Sequence, residues 1–277
     1  MQRLKYRICS FLKYLSLVLA SFIAIMPIMV VFFASFKTSK EYRETGPLVL
    51  PQNWLNFENF RRAFGEGNML LGFLNTAFIL IVSTVGAILL GTMVSYVLDR
   101  FKFRGSKLIM TLFLIATLIP GITTQVATFQ IVNKLGIYNT RLAAIVLYMG
   151  TDIISVYIFL QFLSTIPKSL DESAMLEGAS YLTIYRKIIL PLLKPAISTV
   201  IIIKGVGIYN DFYTPFLYMP NRKLQVISTA LFKFKGPYGS QWEVICAAII
   251  IAIIPTLLVF LLLQKYIYNG FTKGSVK

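Results

Sequence analysis

The sequence predicts an all-α integral membrane protein with six membrane-spanning helices and a short cytoplasmic helix between the fourth and fifth spans. The first observation is composition: the 277-residue chain is 57% hydrophobic and only 14% charged, whereas a soluble domain has about 25% charged residues. The second is that six apolar stretches each approach the roughly 20 residues that cross a bilayer. The third is that the net charge of +16 gathers mainly between these stretches, which favours a membrane over nucleic acid as partner.

The six predicted spans have few or no charges, and backbone groups in lipid must pair within the chain, so each span is expected to be a helix. Pro27 and Pro120 lie inside spans and predict kinks. The first apolar run is too long for a signal peptide and no small-residue cleavage site follows it. We therefore expect one membrane domain over residues 1–277. The spans are 14–36, 70–98, 108–133, 142–166, 191–210 and 244–263.

Basic residues predict the orientation of the spans. The N-terminus and the C-terminal tail carry bases without acids, and the segment 99–107 has four bases and one acid. The segment 37–69, in contrast, balances five bases with four acids. Because cytoplasmic loops are enriched in Lys and Arg, we expect a multi-pass protein of the cell membrane with both termini in the cytoplasm.

The residue inventory excludes several kinds of chemistry. The chain has no His, and its two cysteines, Cys9 and Cys246, form neither a disulfide framework nor a metal-ligand pattern. No Gly-Lys pair followed by Ser or Thr occurs, so the phosphate loop of ATPases is missing. We expect no catalytic residues, no metal and no cofactor bound by this chain, and no ATP hydrolysis by it.

The connection between the fourth and fifth predicted spans carries helix signals. Ser169 and Glu172 have the spacing of a capping box, which predicts a helix that begins just after Ser169. Gly178 supplies a left-handed stop about two turns later. A second short helix over Leu182–Ile189 then leads to Pro191, which is predicted to open the fifth span.

The first of these helices has the features of a docking element. Ser173, Ala174 and Ala179 are small and would let another protein approach the backbone closely, and Glu172 and Glu177 offer charge to a basic partner. Composition alone also describes a capped, solvated loop helix with no partner.

The segment 169–190 resembles the EAA motif of ABC importer membrane permeases, E-A-A-x-x-D-G-A followed by five free residues and F-x-x-I-x-L-P. Ser173, Glu177 and Tyr185 replace the Ala, Asp and Phe of that pattern. The other motif positions match in register, namely Glu172, Ala174, Gly178, Ala179, Ile188, Leu190 and Pro191.

Most of the remaining chain is similar to the carbohydrate-importer branch that includes the maltose-type permeases. At Tyr209-Asn210 the chain departs from the usual Trp-Asn. The similar stretches are Asn53-Trp54, Glu58-Asn59-Phe60, Ser95-Tyr96, Arg100–Gly105 and Leu135–Thr140.

The resemblance implies an alternating-access importer of sugars, with an oligosaccharide as the expected cargo. It also implies partners: a second homologous permease, two cytoplasmic ATPase subunits that bind ATP and Mg, and an extracellular sugar-binding protein. Two alternatives stay open. A channel or a structural membrane anchor would explain the spans without the EAA segment, and a membrane enzyme would lack most catalytic groups.

Lys204 lies about 15 Å into the fifth span, where an unpaired ammonium costs at least about 2.5–3.5 kcal/mol. It is expected to face the transport pathway, with Tyr209, Asn210 and Asn75 as further candidates for that pathway. An interhelical ion pair, for example with Asp152, or snorkelling to an interface is the alternative explanation of Lys204, and the stronger one.

Two further segments have roles that the resemblance implies. The exported connection 211–241 would reach the binding protein through the tip 233–240, for which we choose Lys233, Gly236, Pro237 and Tyr238. The basic tail Gln264–Lys277 would insert between the ATPase subunits. An ordinary exposed turn and a lipid-contacting orientation signal are the respective alternatives.

Overall fold

The computed structural model describes residues 2–101, 103–150, 153–236 and 239–273, and these residues are mostly helical, as the apolar sequence predicts. A single two-stranded antiparallel hairpin accompanies the helices within the described ranges. The α-helices are α1 (Gln2–Phe36), α2 (Ser39–Glu44), α3 (Glu58–Glu66), α4 (Met69–Arg100), α5 (Ser106–Leu118), α6 (Gln125–Lys134), α7 (Arg141–Gly150), α8 (Ile153–Leu163), α9 (Ser169–Leu176), α10 (Tyr181–Ile184), α11 (Leu190–Leu192), α12 (Lys194–Asn210), α13 (Tyr213–Tyr218), α14 (Ile227–Ala230) and α15 (Trp242–Lys273).

Three short helical turns of other types and the hairpin complete the described elements. They are a π-helical turn at Tyr185–Ile189, 3-10 turns at Arg222–Leu224 and Leu231–Phe234, and the strands β1 (Lys235–Gly236) and β2 (Gly239–Ser240). The chain divides into two compact units. One comprises Met1–Leu70 and Ala230–Val259, and the other comprises Leu71–Thr229 and Phe260–Lys277.

In the first unit, a buried polar cluster holds the C-terminal end of α1. The ammonium of Lys37 is buried and donates to Thr45 Oγ1 at 2.9 Å and to the carbonyl of Gly46 at 3.0 Å. The amide of Asn59 on α3 donates to the carbonyls of Ser35 and Lys37 at 2.9 and 2.7 Å. These bonds satisfy carbonyls that the helix end leaves unpaired, so α3 is fixed against α1.

In the second unit, α4 presents a buried face of small and hydroxyl-bearing residues. A Cβ added to Gly91 would lie 3.1 Å from the ring of Phe159 on α8. Next to it, Ser95 Oγ donates to the carbonyl of Val156 at 3.0 Å. Small side chains let helices approach closely in membranes, and here they bring α8 against α4.

Three described helices are long and apolar enough to cross a membrane: Ser10–Phe36 within α1, Met69–Arg100, and Trp242–Leu262 within α15. These coincide with the first, second and sixth predicted spans. The number reaches five if each of two bent helix pairs, Arg141–Gly150 with Ile153–Leu163 and Tyr181–Leu192 with Lys194–Asn210, forms one span.

The prediction that the third span, residues 108–133, is one kinked helix is wrong. Helix α5 ends at Leu118 and α6 starts at Gln125, with Pro120 in the turn between them. Proline has no backbone N–H and its ring clashes with the preceding turn. The carbonyl of Ala116, four residues before the proline, accepts from the N–H of Ile119 at 3.4 Å instead. The hydroxyls of Thr117 and Thr123 donate to the carbonyls of Leu114 and Pro120 at 2.6 and 2.7 Å.

The fourth predicted span, residues 142–166, also departs from a single helix. It consists of α7 and α8, which meet at a bend of 41°. Helix α8 ends at Leu163 rather than at Ile166, and a turn follows in which the N–H of Ile166 donates to the carbonyl of Leu163 at 3.0 Å. Asp152, the proposed ion-pair partner of Lys204, lies outside the described residues.

The prediction that Pro191 opens the fifth span is wrong as well. Pro191 lies inside α11, which continues the π-helical turn, and the chain bends by 71° before α12 begins at Lys194. In the wide turn, the N–H of Leu190 donates to the carbonyl of Tyr185, five residues back. Because a π turn re-spaces the carbonyls just before the proline, the ring of Pro191 is accommodated within the helix. Pro195 takes the position at the start of α12.

Candidate functional site

Helix α9 carries the first three positions of the segment that resembles the EAA motif, Glu172, Ser173 and Ala174, but it does not begin with the predicted capping box. Lys168 is the N-cap and already has helical backbone angles, and no side chain caps this end. The helix therefore starts at Ser169, one residue earlier than predicted, and Ser169 lies too far along the first turn to cap it. Asp171 and Glu172 lie in the first turn, where negative charge is stabilised by the helix dipole.

The C-terminal end of α9 is a Schellman motif, as the position of Gly178 predicts. Gly178 has φ of +85°, a conformation that residues with a Cβ adopt at a cost. Its N–H donates to the carbonyl of Met175, and the N–H of Ala179 donates to that of Ala174, both at 2.9 Å. These two bonds are the pair that defines the motif. The chain direction after α9 is therefore set by the backbone.

Two faces of α9 differ sharply in exposure. Asp171 and Ala174, three residues apart, are buried against the second unit's core. On the other face Glu172 and Ser173 are exposed, and so are Glu177 and Gly178, which follow the helix. Leu176 is 91% exposed. The exposed face is consequently the one that is available to another protein.

The buried face of α9 is held by an ion pair that sequence reasoning missed. Arg100, the last residue of α4, places Nε 2.8 Å from Oδ2 of Asp171, and both side chains are less than 10% exposed. Arg100 also contacts Asp99 Oδ2 through Nη1 at 2.7 Å and donates from Nη2 to the carbonyl of Ile166 at 3.1 Å. Lys168 Nζ donates to the carbonyl of Asp99 at 3.2 Å.

A sequence signal for this pair does exist. Asp171 and Ala174 have the i, i+3 spacing of one helix face, and a buried carboxylate needs a cation. The missing information was the identity of that cation, because several bases follow the second predicted span and nothing in the sequence singles out Arg100.

A second attachment joins the segment after α9 to α4. Tyr185, which replaces the Phe of the motif, is buried, and its hydroxyl lies 2.8 Å from Thr92 Oγ1 on α4. Tyr96 packs between Tyr185 and Phe101, with ring centroids 5.6 and 5.9 Å apart. Phe101 in turn contacts Tyr181 at 5.0 Å. The hydroxyl of Tyr185 thus adds a polar bond that phenylalanine would lack.

Lys204 contributes to a helix end within the second unit. Its ammonium is half-buried and donates to the carbonyl of Tyr148, near the C-terminal end of α7. The last carbonyls of a helix have no partner inside that helix and carry partial negative charge. Lys204 therefore caps α7, the first half of the bent helix pair.

The side chain of Tyr148 has a different partner. Its hydroxyl donates to Asp211 Oδ2 at 2.9 Å, and Asp211 Oδ1 accepts from the N–H of Tyr213 at 2.8 Å.

The other residues chosen for the substrate pathway lie in different surroundings. Asn75 on α4 is buried, and its amide donates to the carbonyls of Lys223 and Gln225 at 3.1 and 2.8 Å. Tyr209 is half-buried and Asn210 is exposed, both at the C-terminal end of α12.

The residues chosen for contact with a binding protein belong to the first unit. Lys233 is exposed in the 3-10 turn before β1, and its ammonium donates to the carbonyl of Glu66 at the end of α3. Gly236 pairs with Gly239 in the hairpin. Pro237 and Tyr238 lie outside the described residues, and so does the end of the basic tail, 274–277. Among the described residues, no three His, Cys, Asp or Glu side chains gather in a metal-binding arrangement.

Comparisons with known proteins agree on one family. The sequence model of the family described as "Binding-protein-dependent transport system inner membrane component" matches residues 87–273, a range that contains α9 and Arg100. The arabinooligosaccharides transport system permease protein AraQ of Halalkalibacterium halodurans is 30% identical over 279 residues, with 100% of both chains covered. The melibiose/raffinose/stachyose import permease protein MelC of Bacillus subtilis is 30% identical over 254 residues, with 91% of each covered.

A solved structure shares the fold. A chain of a bacterial ABC transporter involved in the import of the acidic polysaccharide alginate superposes with a TM-score of 0.81 at 20% identity, covering 94% of this chain and 96% of that chain. The resemblance to ABC importer permeases is thereby confirmed, and so is the expectation that the chain is a transport subunit and not an enzyme. With more than half of its length matched by the family and a relative aligned end to end, the chain belongs to the inner membrane components of binding-protein-dependent transport systems.

Proposed function

We propose that the chain is one of two permease subunits of an ATP-driven importer of oligosaccharides, and that α9 couples ATPase closure to movement of its spans. Two separate ATPase subunits would bind ATP and Mg, and an extracellular binding protein would deliver the sugar. The observation that carries the proposal is the contrast between the two faces of α9. One face is held by buried contacts, while Glu172, Ser173 and Leu176 are exposed on the other.

A coupling helix has to be rigid, because a flexible loop would absorb the movement of the ATPase. Helix α9 meets this need at its C-terminal end. The Schellman motif at Gly178 sets the exit direction, and α10, the π-helical turn and α11 lead without a loop to the bend before α12. Glu172 is not engaged in capping α9, so its carboxylate is available for a basic residue in an ATPase groove.

The membrane arrangement in this proposal has six spans and two cytoplasmic termini. Support comes from the three long helices and from the two bent pairs, which overlap the fourth and fifth predicted spans. Helices α5 and α6 together would form the third span. Broken helices cross membranes where neighbouring helices satisfy the freed backbone groups, as Lys204 does at the end of α7.

The proposed cargo rests on relatives whose printed names include arabinooligosaccharides and melibiose, raffinose and stachyose. In the proposed pathway, Asn210 and Tyr209 are the candidates that a sugar would reach in this conformation, since Asn75 is buried against main chain. The tip 233–240 would contact the binding protein. The tail Gln264–Lys277 would contact the ATPase subunits, so removing residues 272–277 is expected to lower stimulated ATP hydrolysis.

The test is the substitution Glu172→Ala in the complex purified from its own membrane through a tag on this chain. We expect the variant to reach the membrane but to retain less ATPase, or to lose stimulation of ATP hydrolysis by the binding protein and sugar. Removing one partner of a desolvated ion pair costs about 3–5 kcal/mol. Glu44→Ala is the matched control, because Glu44 is also an exposed glutamate but lies in the segment that is predicted to be exported.

Two results would contradict the proposal. Full, coupled transport by Glu172→Ala would remove α9 from the mechanism. A wild-type complex that retains no ATPase at all would instead favour the channel or membrane anchor.

A further inference from the structure

A compact cluster of charged residues joins α9 to one end of α4. The charge pattern of the sequence predicts that this end lies in the cytoplasm. Arg100 lies at the centre of the cluster, with Asp99 beside it on the same helix and Asp171 on α9. The Arg100 side chain is 6% exposed, and the carboxylates of Asp171 and Asp99 are 8% and 16% exposed. Little water therefore screens the Arg100–Asp171 attraction, unlike that of a surface ion pair.

The contacts require an arginine at position 100. The guanidinium meets three oxygen atoms through three different nitrogen atoms: Oδ2 of Asp171, Oδ2 of Asp99 and the carbonyl oxygen of Ile166. A lysine has a single nitrogen on a flexible stem and cannot hold three partners in this fixed geometry. Within the described residues, Arg100 Nε and Asp171 Oδ1 are buried and make no hydrogen bond, so Arg100 compensates the Asp171 carboxylate as an ion pair at 2.8 Å and not through a hydrogen bond.

The ion pair is not the only contact that fixes α9 and its following segment relative to α4. The bond between Tyr185 and Thr92 lies eight residues before Arg100 on α4, or about 12 Å along the helix. Two attachment points at that separation prevent α9 and its following segment from pivoting about α4. Two contacts therefore join α4 to α9 and its following segment, apart from the covalent path along the chain to α12.

We propose that Arg100 and Asp171 are positioning residues that make α4 move together with α9 during transport. This rests on the proposed function, in which α9 receives the movement of the ATPase. It adds a second route for that movement: besides the covalent path through Pro191 to α12, the ion pair leads to the second predicted span. Neither residue has to touch sugar, ATP or the ATPase.

The first test compares Asp171→Asn with Asp99→Asn in the full purified complex. Asp171→Asn removes the ion pair, so that α9 can pivot about the remaining Tyr185–Thr92 bond. Asp99 still neutralises Arg100, so the variant should fold and retain the ATPase. We expect binding-protein-stimulated hydrolysis to fall about tenfold, within the range for residues that link distant sites, with basal hydrolysis unchanged. Asp99→Asn removes a contact within α4 alone and leaves Asp171 to neutralise Arg100, so stimulated hydrolysis should stay within about twofold of the wild type, below the range for residues that link distant sites.

A double-mutant cycle distinguishes loss of the Arg100–Asp171 interaction from a general loss of stability. If Arg100→Gln and Asp171→Asn act through one interaction, the double variant should be no worse than the worse single variant, about tenfold instead of about a hundredfold. Multiplying effects would overturn the proposal, as would loss of the ATPase from Asp171→Asn complexes.

A direct readout follows α4 itself. In a background with Cys9 and Cys246 replaced by serine, Val97→Cys places a thiol on an exposed position of α4. Maleimide labelling of this thiol should change with ATP in the wild-type background and in Asp99→Asn, but not in Asp171→Asn. A wild-type complex that shows no change with ATP, or an Asp171→Asn complex that changes fully, would overturn the proposal. Failure of the proposed function would give a different result from failure of this proposal, because the wild-type complex would then retain no ATPase.

Discussion

Gly178 allows the coupling role of α9 to be tested through the backbone alone. Its φ is +85°, and a Cβ built at this position meets no atom within 4 Å. A Cβ here would therefore not clash, and its cost would come from the left-handed conformation. That cost is about 1–2 kcal/mol for most L-residues, while asparagine adopts the conformation more readily.

The structure indicates a graded series for Gly178. With valine, a cost of about 2 kcal/mol would shift the local equilibrium away from the observed turn by about 30-fold. The two bonds of the motif, from Gly178 to Met175 and from Ala179 to Ala174, would be weakened by this shift. Gly178→Asn should keep the turn, and Gly178→Ala should lie between the two.

The assay is stimulation of ATP hydrolysis by the binding protein and sugar in the purified complex, measured with sugar uptake in vesicles. We expect both activities to follow the order Gly, Asn, Ala, Val, with the amount of permease in the membrane unchanged. Equal activity of Gly178→Val and Gly178→Asn would refute the reasoning, because the two differ mainly in their tolerance of positive φ.

Three further predictions concern other parts of the chain. Tyr185→Phe removes the bond to Thr92 and should cost about 1 kcal/mol of stability; an unchanged melting temperature would contradict the role of this hydroxyl. Lys204→Met should leave the carbonyl of Tyr148 without its cap and destabilise the protein by about 1–3 kcal/mol, with an unchanged KM for uptake. A raised KM at unchanged melting temperature would assign Lys204 to the substrate instead. Shortening the tip 233–240 should lower stimulation of ATP hydrolysis while the complex still assembles, and full stimulation would show that the tip is an ordinary turn.

Features governed by local chemistry were predictable from the sequence. The apolar runs that became α1, α4 and α15 are visible because lipid requires long uncharged helices. The stop at Gly178 is visible because a left-handed residue at a helix end is a local property of glycine. Where the local signal was ambiguous, prediction failed: Pro120 separates two helices instead of bending one, and Ser169 lies one residue beyond the N-cap.

Other features were decided by the tertiary structure. Asp171 is 71 positions from Arg100, and its charge alone does not say whether it faces solvent or a guanidinium. Lys204 is bonded to a main-chain carbonyl, a partner that has no side-chain identity and so leaves no mark in the sequence. The sequence by itself determined where the long apolar helices lie and where α9 ends, because apolar helix formation and backbone conformation depend on nearby residues. Only packing decided what holds α9 to α4, because ion pairs and helix caps depend on which distant groups meet.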